Sequence, residues 1–257
     1  MTQAIAKFHL SHGPKNRPTL VFVPGALIPP NTIAPVTRIV KLRAVGVGWL
    51  EGAGPHDLHS VAARVAMLLK ELGPTVLIGH SVGTPIAALA AAIDLRSAKR
   101  NVVGLVLSNS GANTKGHGDV ESVIERVLRT WGPPLWKAMT ERSLGSVCPT
   151  ELVDSFMTYP RRITAEATAE SLRSLQQTDL TSMLGELSSV PTAVIHGSRD
   201  PARTLSHAES LSDGIPGSRL VVLDTGHTSC VEAPGEFAQV IRSVVEQGVK
   251  AGTGRED

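Results

Sequence analysis

Residues 75–93 read TVLIGHSVGTPIAALAAAI. The opening TVLI is β-branched and apolar, as a buried strand is, and from Val82 onward small and apolar residues continue at helical length. Between the two stands Gly79-His80-Ser81-Val82-Gly83, the spacing G-x-S-x-G in a strand–turn–helix setting. A serine there occupies a sharp, strained turn that lifts its Oγ above the sheet. Glycines two residues to either side remove side chains where helix and strand approach most closely. The following helix points its first N–H groups and the positive end of its dipole at that hydroxyl, which favours an oxyanion. So short a pattern arises readily by chance in a chain with 24 Gly, so its surroundings decide its weight.

Strand-like runs at 19–23, 40–47, 75–78, 102–107, 192–196 and 220–223 alternate with helical stretches at 59–72, 82–93, 205–213 and 234–247. This rhythm predicts an α/β fold whose sheet is mostly parallel and covered by helices, with a weaker N-terminal edge strand at 4–10. Between 111 and 189 the strands stop, and four amphipathic pieces follow at 120–130, 134–142, 150–158 and 165–175. Residues 111–189 are therefore expected to form a helical cap inserted into a core of residues 1–110 and 190–250, with 251–257 a frayed tail. Ordinary covering helices are the alternative.

The length of 257 residues suits one domain with an insertion, and 42% hydrophobic with 19% charged residues excludes disorder and coiled coil. A formal charge of +2 without a dense basic run argues against nucleic acid or a membrane surface as partner. Aromatic content of 3% predicts an aliphatic core and few stacking platforms. Cys148 and Cys230 stand far apart, so two reduced thiols are expected, with neither a metal site nor a disulfide framework. MTQAIAKFHL contains no apolar leader, and the apolar run at 86–93 is too short to span a bilayer. A soluble, cytoplasmic protein is the expectation; its oligomeric state is left open, a homodimer included.

In this setting the chain resembles the α/β-hydrolase superfamily across about residues 19–245, because further positions match in the order Ser, Asp, His. The resemblance implies an α/β-hydrolase fold with Ser81 as nucleophile. Its acid falls on Asp200, in VIHGSRDPA just after a strand, in preference to Asp179, Asp213 or Asp224. The neighbouring loop LVLSNSGAN, where a few relatives carry the acid, contains no Asp or Glu. The histidine falls on His227, in VVLDTGHTSCVEAP, rather than on His80, His196 or His207. Asp200 would fix the tautomer of His227 and stabilise its imidazolium.

The oxyanion donors implied are the backbone N–H groups of Ala26 and Val82. Where relatives usually have His-Gly, this chain has Pro24-Gly25, a departure that leaves a backbone donor intact. VGWLEGAGP keeps only the outline of another family loop. Trp49 in that loop, and Trp131, Trp136 and Met157 in the cap, are candidates to line the substrate pocket, although apolar residues at helical spacing suit a core equally. The implied reaction is hydrolysis of a small to medium apolar carboxylic ester or lactone through an acyl-enzyme, without metal or organic cofactor. Alternatives on the same triad are a carbon–carbon bond hydrolase, a thioesterase, an amidase or a hydroxynitrile lyase. The first typically has Asn where this chain has His80. A non-catalytic ligand receptor is a further alternative.

Overall fold

The central strands are mostly apolar and buried at nearly every position, and such strands need cover on both faces. The computed structural model describes residues 5–144 and 149–253 and supplies that cover. Seven strands form one sheet: β1 (Ala6–Ser11), β2 (Thr19–Val23), β3 (Ala44–Gly48), β4 (Thr75–His80), β5 (Val102–Ser108), β6 (Thr192–Gly197) and β7 (Arg219–Leu223). Their spatial order is β1-β3-β2-β4-β5-β6-β7; β1 pairs antiparallel with β3, and every other pair is parallel. The helices in chain order are α1 (Ala34–Val40), α2 (Leu58–Leu72), α3 (Gly83–Leu95), α4 (Val120–Thr130), α5 (Pro133–Leu144), α6 (Thr150–Thr158), α7 (Ala165–Gln177), α8 (Leu205–Asp213), α9 (Ser229–Glu232) and α10 (Pro234–Thr253).

Alternate residues of each strand enter opposite layers. Val21, Val23, Leu77, Leu105, Leu107 and Val194 pack with α2, α3 and α8. Leu20, Phe22, Val76, Ile78, Val106 and Ile195 pack with α1 and α10. The order of strands reverses between β2 and β4, and the crevice at their carboxyl ends is where open α/β sheets bind ligands. Ser81 leaves the sheet at that point.

Two expectations need correction. The run at 40–47 is not one strand: Pro35 opens α1, which ends when Lys41 turns to φ 57°, and β3 starts only at Ala44. Helix α1 packs on α10. Likewise the last helix does not stop at 247, because α10 continues to Thr253. Gly248 lets that helix lie against β5, where a Cβ would fall 2.0 Å from the Val103 carbonyl oxygen. Cys230 is a free, buried thiol, whereas Cys148 lies outside the described residues.

Candidate active site

The turn between β4 and α3 is as tight as the glycine spacing requires. Ser81 has φ 55°, a left-handed conformation costly for a residue with a side chain. A Cβ on Gly79 would lie 2.6 Å from the Gly83 carbonyl oxygen, and one on Gly83 would lie 2.0 Å from that of Val23. The Ser81 N–H donates to the Ser108 carbonyl at 2.9 Å, which fixes the turn to the end of β5.

Asp200 and His227 reach this point from the ends of β6 and β7. Gly197 permits their loops to touch, since a Cβ there would sit 2.1 Å from the Gly226 carbonyl oxygen. His227 Nε2 lies 3.0 Å from Ser81 Oγ, while its Nδ1 lies 2.9 and 3.0 Å from the two oxygens of Asp200. Asp200 Oδ1 also accepts the N–H groups of Ala202 at 2.7 Å and Arg203 at 3.2 Å, and Oδ2 accepts the Asn109 amide at 3.1 Å. Burial by itself raises the acid's pKa, but the His227 hydrogen bond and charge, the Ala202 N–H and Asn109 together hold it well below the usual carboxylate range.

Asn109 was not singled out by the sequence, since its loop offered no carboxylate. Its position is nonetheless specified: it takes φ 53°, which asparagine tolerates better than most residues. Its Oδ1 accepts hydroxyl protons from Ser108 and Ser229, which leaves Nδ2 to donate to Asp200 and the Gly226 carbonyl.

Ala26 and Val82 line the same cavity as Ser81 and His227. Among the described residues their N–H groups have no hydrogen-bond partner, leaving two donors free beside the serine. Gly25 brings the first of these loops close, as a Cβ there would fall 2.9 Å from Ser81 Cβ. His80 is buried beneath, its ring centroid 5.1 Å from that of His227 and both its nitrogens unpartnered. Burial, with the neighbouring His227, pushes its pKa down to about 3, so it stays neutral.

The cavity measures about 430 Å³, with Ile28, Val123, Met139, Leu172 and Leu175 among its apolar walls. None of the four large side chains put forward from sequence lines it. Trp49 is 1% exposed in the core and donates its indole N–H to the Pro24 carbonyl at 2.8 Å. Trp131 meets Trp136 edge-on at 5.8 Å, and Trp136 packs with Val127, Leu135 and Ala165. Met157 places its sulfur 3.9 Å from the Thr140 hydroxyl. Instead the walls include Arg142, Arg203 and His117, which sequence patterns did not reveal because only the folded chain brings their segments together. His196 is buried; His207 is half-buried and caps the start of α8. Among the described residues no group of three or more His, Cys, Asp or Glu is placed to hold a metal ion. Nor is any described helix long and apolar enough to cross a membrane.

A model of the alpha/beta hydrolase family matches residues 20–240. The chain belongs to this family. The esterase of Exiguobacterium antarcticum shares the hydrolase fold, with a TM-score of 0.78 and 22% identity over 94% of each chain. So does the enol-lactonase of Burkholderia xenovorans, with a TM-score of 0.76 and 19% identity over 94% of this chain and 96% of that one. In sequence, 3-oxoadipate enol-lactonase 1 of Acinetobacter baylyi is 32% identical over 82 residues, which span 32% of this chain and 30% of the relative.

Proposed function

We propose that the protein hydrolyses carboxylic esters or lactones through an acyl-enzyme on Ser81. The observation that carries this reading is the single imidazole of His227 placed between Ser81 Oγ and Asp200, within hydrogen-bond distance of both. In the first step His227 Nε2 takes the serine proton as Oγ attacks the carbonyl carbon. The tetrahedral oxyanion is held by the N–H groups of Ala26 and Val82, and His227 protonates the departing alcohol oxygen. Water then attacks the acyl group with the same imidazole as base, releasing the acid and restoring Ser81. Asp200, held ionised, keeps the Nδ1 proton in place and offsets the positive ring.

Residues 111–189 serve in this reading as the cap that shapes the substrate space. Val123 of α4, Met139 of α5, and Leu172 and Leu175 of α7 contribute to the cavity, which supports that role. Their chemistry favours a small to medium substrate with an apolar body. Named relatives include an esterase and enol-lactonases, consistent with ester or lactone chemistry.

The test is labelling by a fluorophosphonate probe together with turnover of p-nitrophenyl butyrate. Wild-type protein is expected to be labelled on Ser81 and to hydrolyse the ester; Ser81→Ala is expected to lose both while keeping its circular dichroism spectrum. A folded wild-type protein that is neither labelled nor active on any ester, lactone or thioester would overturn the reading.

A further inference from the structure

One wall of the cavity carries charge that acyl transfer from Ser81 does not use. Arg203, three residues beyond Asp200, lines the cavity although only 6% exposed. Its Nη1 donates to the Asn113 carbonyl at 3.2 Å, and among the described residues it forms no ion pair. Arg142 of α5 lines the same cavity, its Nη2 3.5 Å from the Pro201 carbonyl, and the charges of both guanidinium groups act on His117. His117 stands with them. Burial, then the charges of Arg203, His207, Arg142 and His227, push its pKa down to about 4, and it adds a neutral donor or acceptor.

Among the described residues neither nearby acidic group forms an ion pair with these arginines. Asp119 also lines the cavity, but its Oδ1 accepts the Ser122 N–H as the N-cap of α4. Asp200 is held by His227, Ala202 and Asn109. A buried cation without an ion-pair partner is costly, and Arg203 borders the cavity with no carboxylate in ion-pair contact among the described residues. Burial accordingly pulls its pKa down to about 10 despite the charge of Asp200.

The geometry points to a subsite in which Arg203 and Arg142 bind a carboxylate carried by the substrate away from the scissile bond. The preferred substrates are then esters or lactones that also bear a free acid, with the apolar body lying along Val123, Met139 and Leu172. A carboxylate suits the planar fork of a guanidinium, which binds it through paired hydrogen bonds. The assignment rests on the ester-hydrolase reading above and narrows it.

The test compares kcat/KM for monomethyl glutarate, adipate and pimelate with that for methyl pentanoate, hexanoate and heptanoate. Wild-type protein is expected to prefer the anionic member of at least one pair by about tenfold or more, with the preference shrinking as salt is raised. Arg203→Met and Arg142→Gln are each expected to reduce the ratio of anionic to neutral turnover by about tenfold. An Arg203 that merely braced the Asn113 loop would affect both esters alike and leave the ratio unchanged. No preference in any pair, or an unchanged ratio in both variants, overturns the subsite. If Arg203→Met fails to fold, Arg142→Gln, altered at an exposed side chain, decides alone. Failure of every ester to turn over would count against the hydrolase reading instead. Calorimetric titration with pimelate would then still decide the subsite: binding weakened about tenfold by Arg142→Gln supports it, and no binding overturns it.

Discussion

Asn109 holds Asp200 from the neighbouring strand end, its Nδ2 3.1 Å from Asp200 Oδ2. Two hydroxyl groups on the other side of its amide fix which atom faces the acid. Asn109→Ala is expected to cost about 1–3 kcal/mol, because the buried hydroxyls of Ser108 and Ser229 lose their acceptor. It should also lower kcat more than it raises KM, since Asp200 loses a positioning contact while the cavity walls stay in place. Urea unfolding and steady-state kinetics check the two halves separately.

Asp200→Asn is expected to reduce kcat by roughly 10³–10⁴-fold with the fold retained. An amide in that place can present its NH₂ to Nδ1 and stabilise the tautomer with its proton on Nε2, which cannot accept from Ser81. Turnover close to wild type would move the acid of the proposed triad to another residue.

Gly25→Ala places a methyl group 2.9 Å from both Ser81 Cβ and Ile28 Cδ1. The loop carrying the Ala26 N–H must retreat, and an oxyanion donor displaced by about 1 Å costs on the order of 10²-fold in kcat. Labelling of Ser81 should slow in parallel. Full activity in this variant would show that the Ala26 N–H is not a donor in the reaction.

His80 offers a test of pH dependence. Its folded-state pKa, near 3, lies below the unfolded value of about 6.5, so the unfolded chain binds the extra proton in between. The folded state therefore loses stability as pH falls below about 6.5, by up to about 1.4 kcal/mol per pH unit, until the folded pKa is reached. His80→Phe removes two unpartnered ring nitrogens as well as this titration. Between pH 7 and pH 5 the variant is expected to lose about 1–2 kcal/mol less than the wild type, with His117 and His196 still contributing some acid sensitivity. Parallel stability curves from urea titrations at the two pH values would refute the assignment.

The turn at Ser81 was legible because sterics allow few alternatives: positions 79 and 83 tolerate no Cβ against the carbonyls they meet, so the sequence has glycine at both. Asp200 and His227 could be placed through the resemblance to the hydrolase superfamily, in loops after successive strands, but the contact of His227 with a serine 146 residues earlier comes only from the parallel register of the sheet. The cavity walls were not legible in the same way. Trp131 and Trp136 have the size and spacing of pocket residues, yet each finds the other's ring. Arg142 and Arg203 look like solvated surface charges until α5 is laid beside the loop after β6. Helix α1 was not read at all, and only its last residue, Val40, was drawn into the following strand, which begins at Ala44.

The groups around Ser81 arrive by two separate routes. His227, Asp200 and the two backbone donors are set by strand ends and by glycines pressed against carbonyls, where almost no substitution fits. Most of the apolar wall facing them comes from α4, α5 and α7, all within the single stretch of chain between β5 and β6. In the proposed reading, exchanging that one stretch would recut the chamber while leaving the proposed triad in place, so chemistry and taste would be carried on different parts of the same chain.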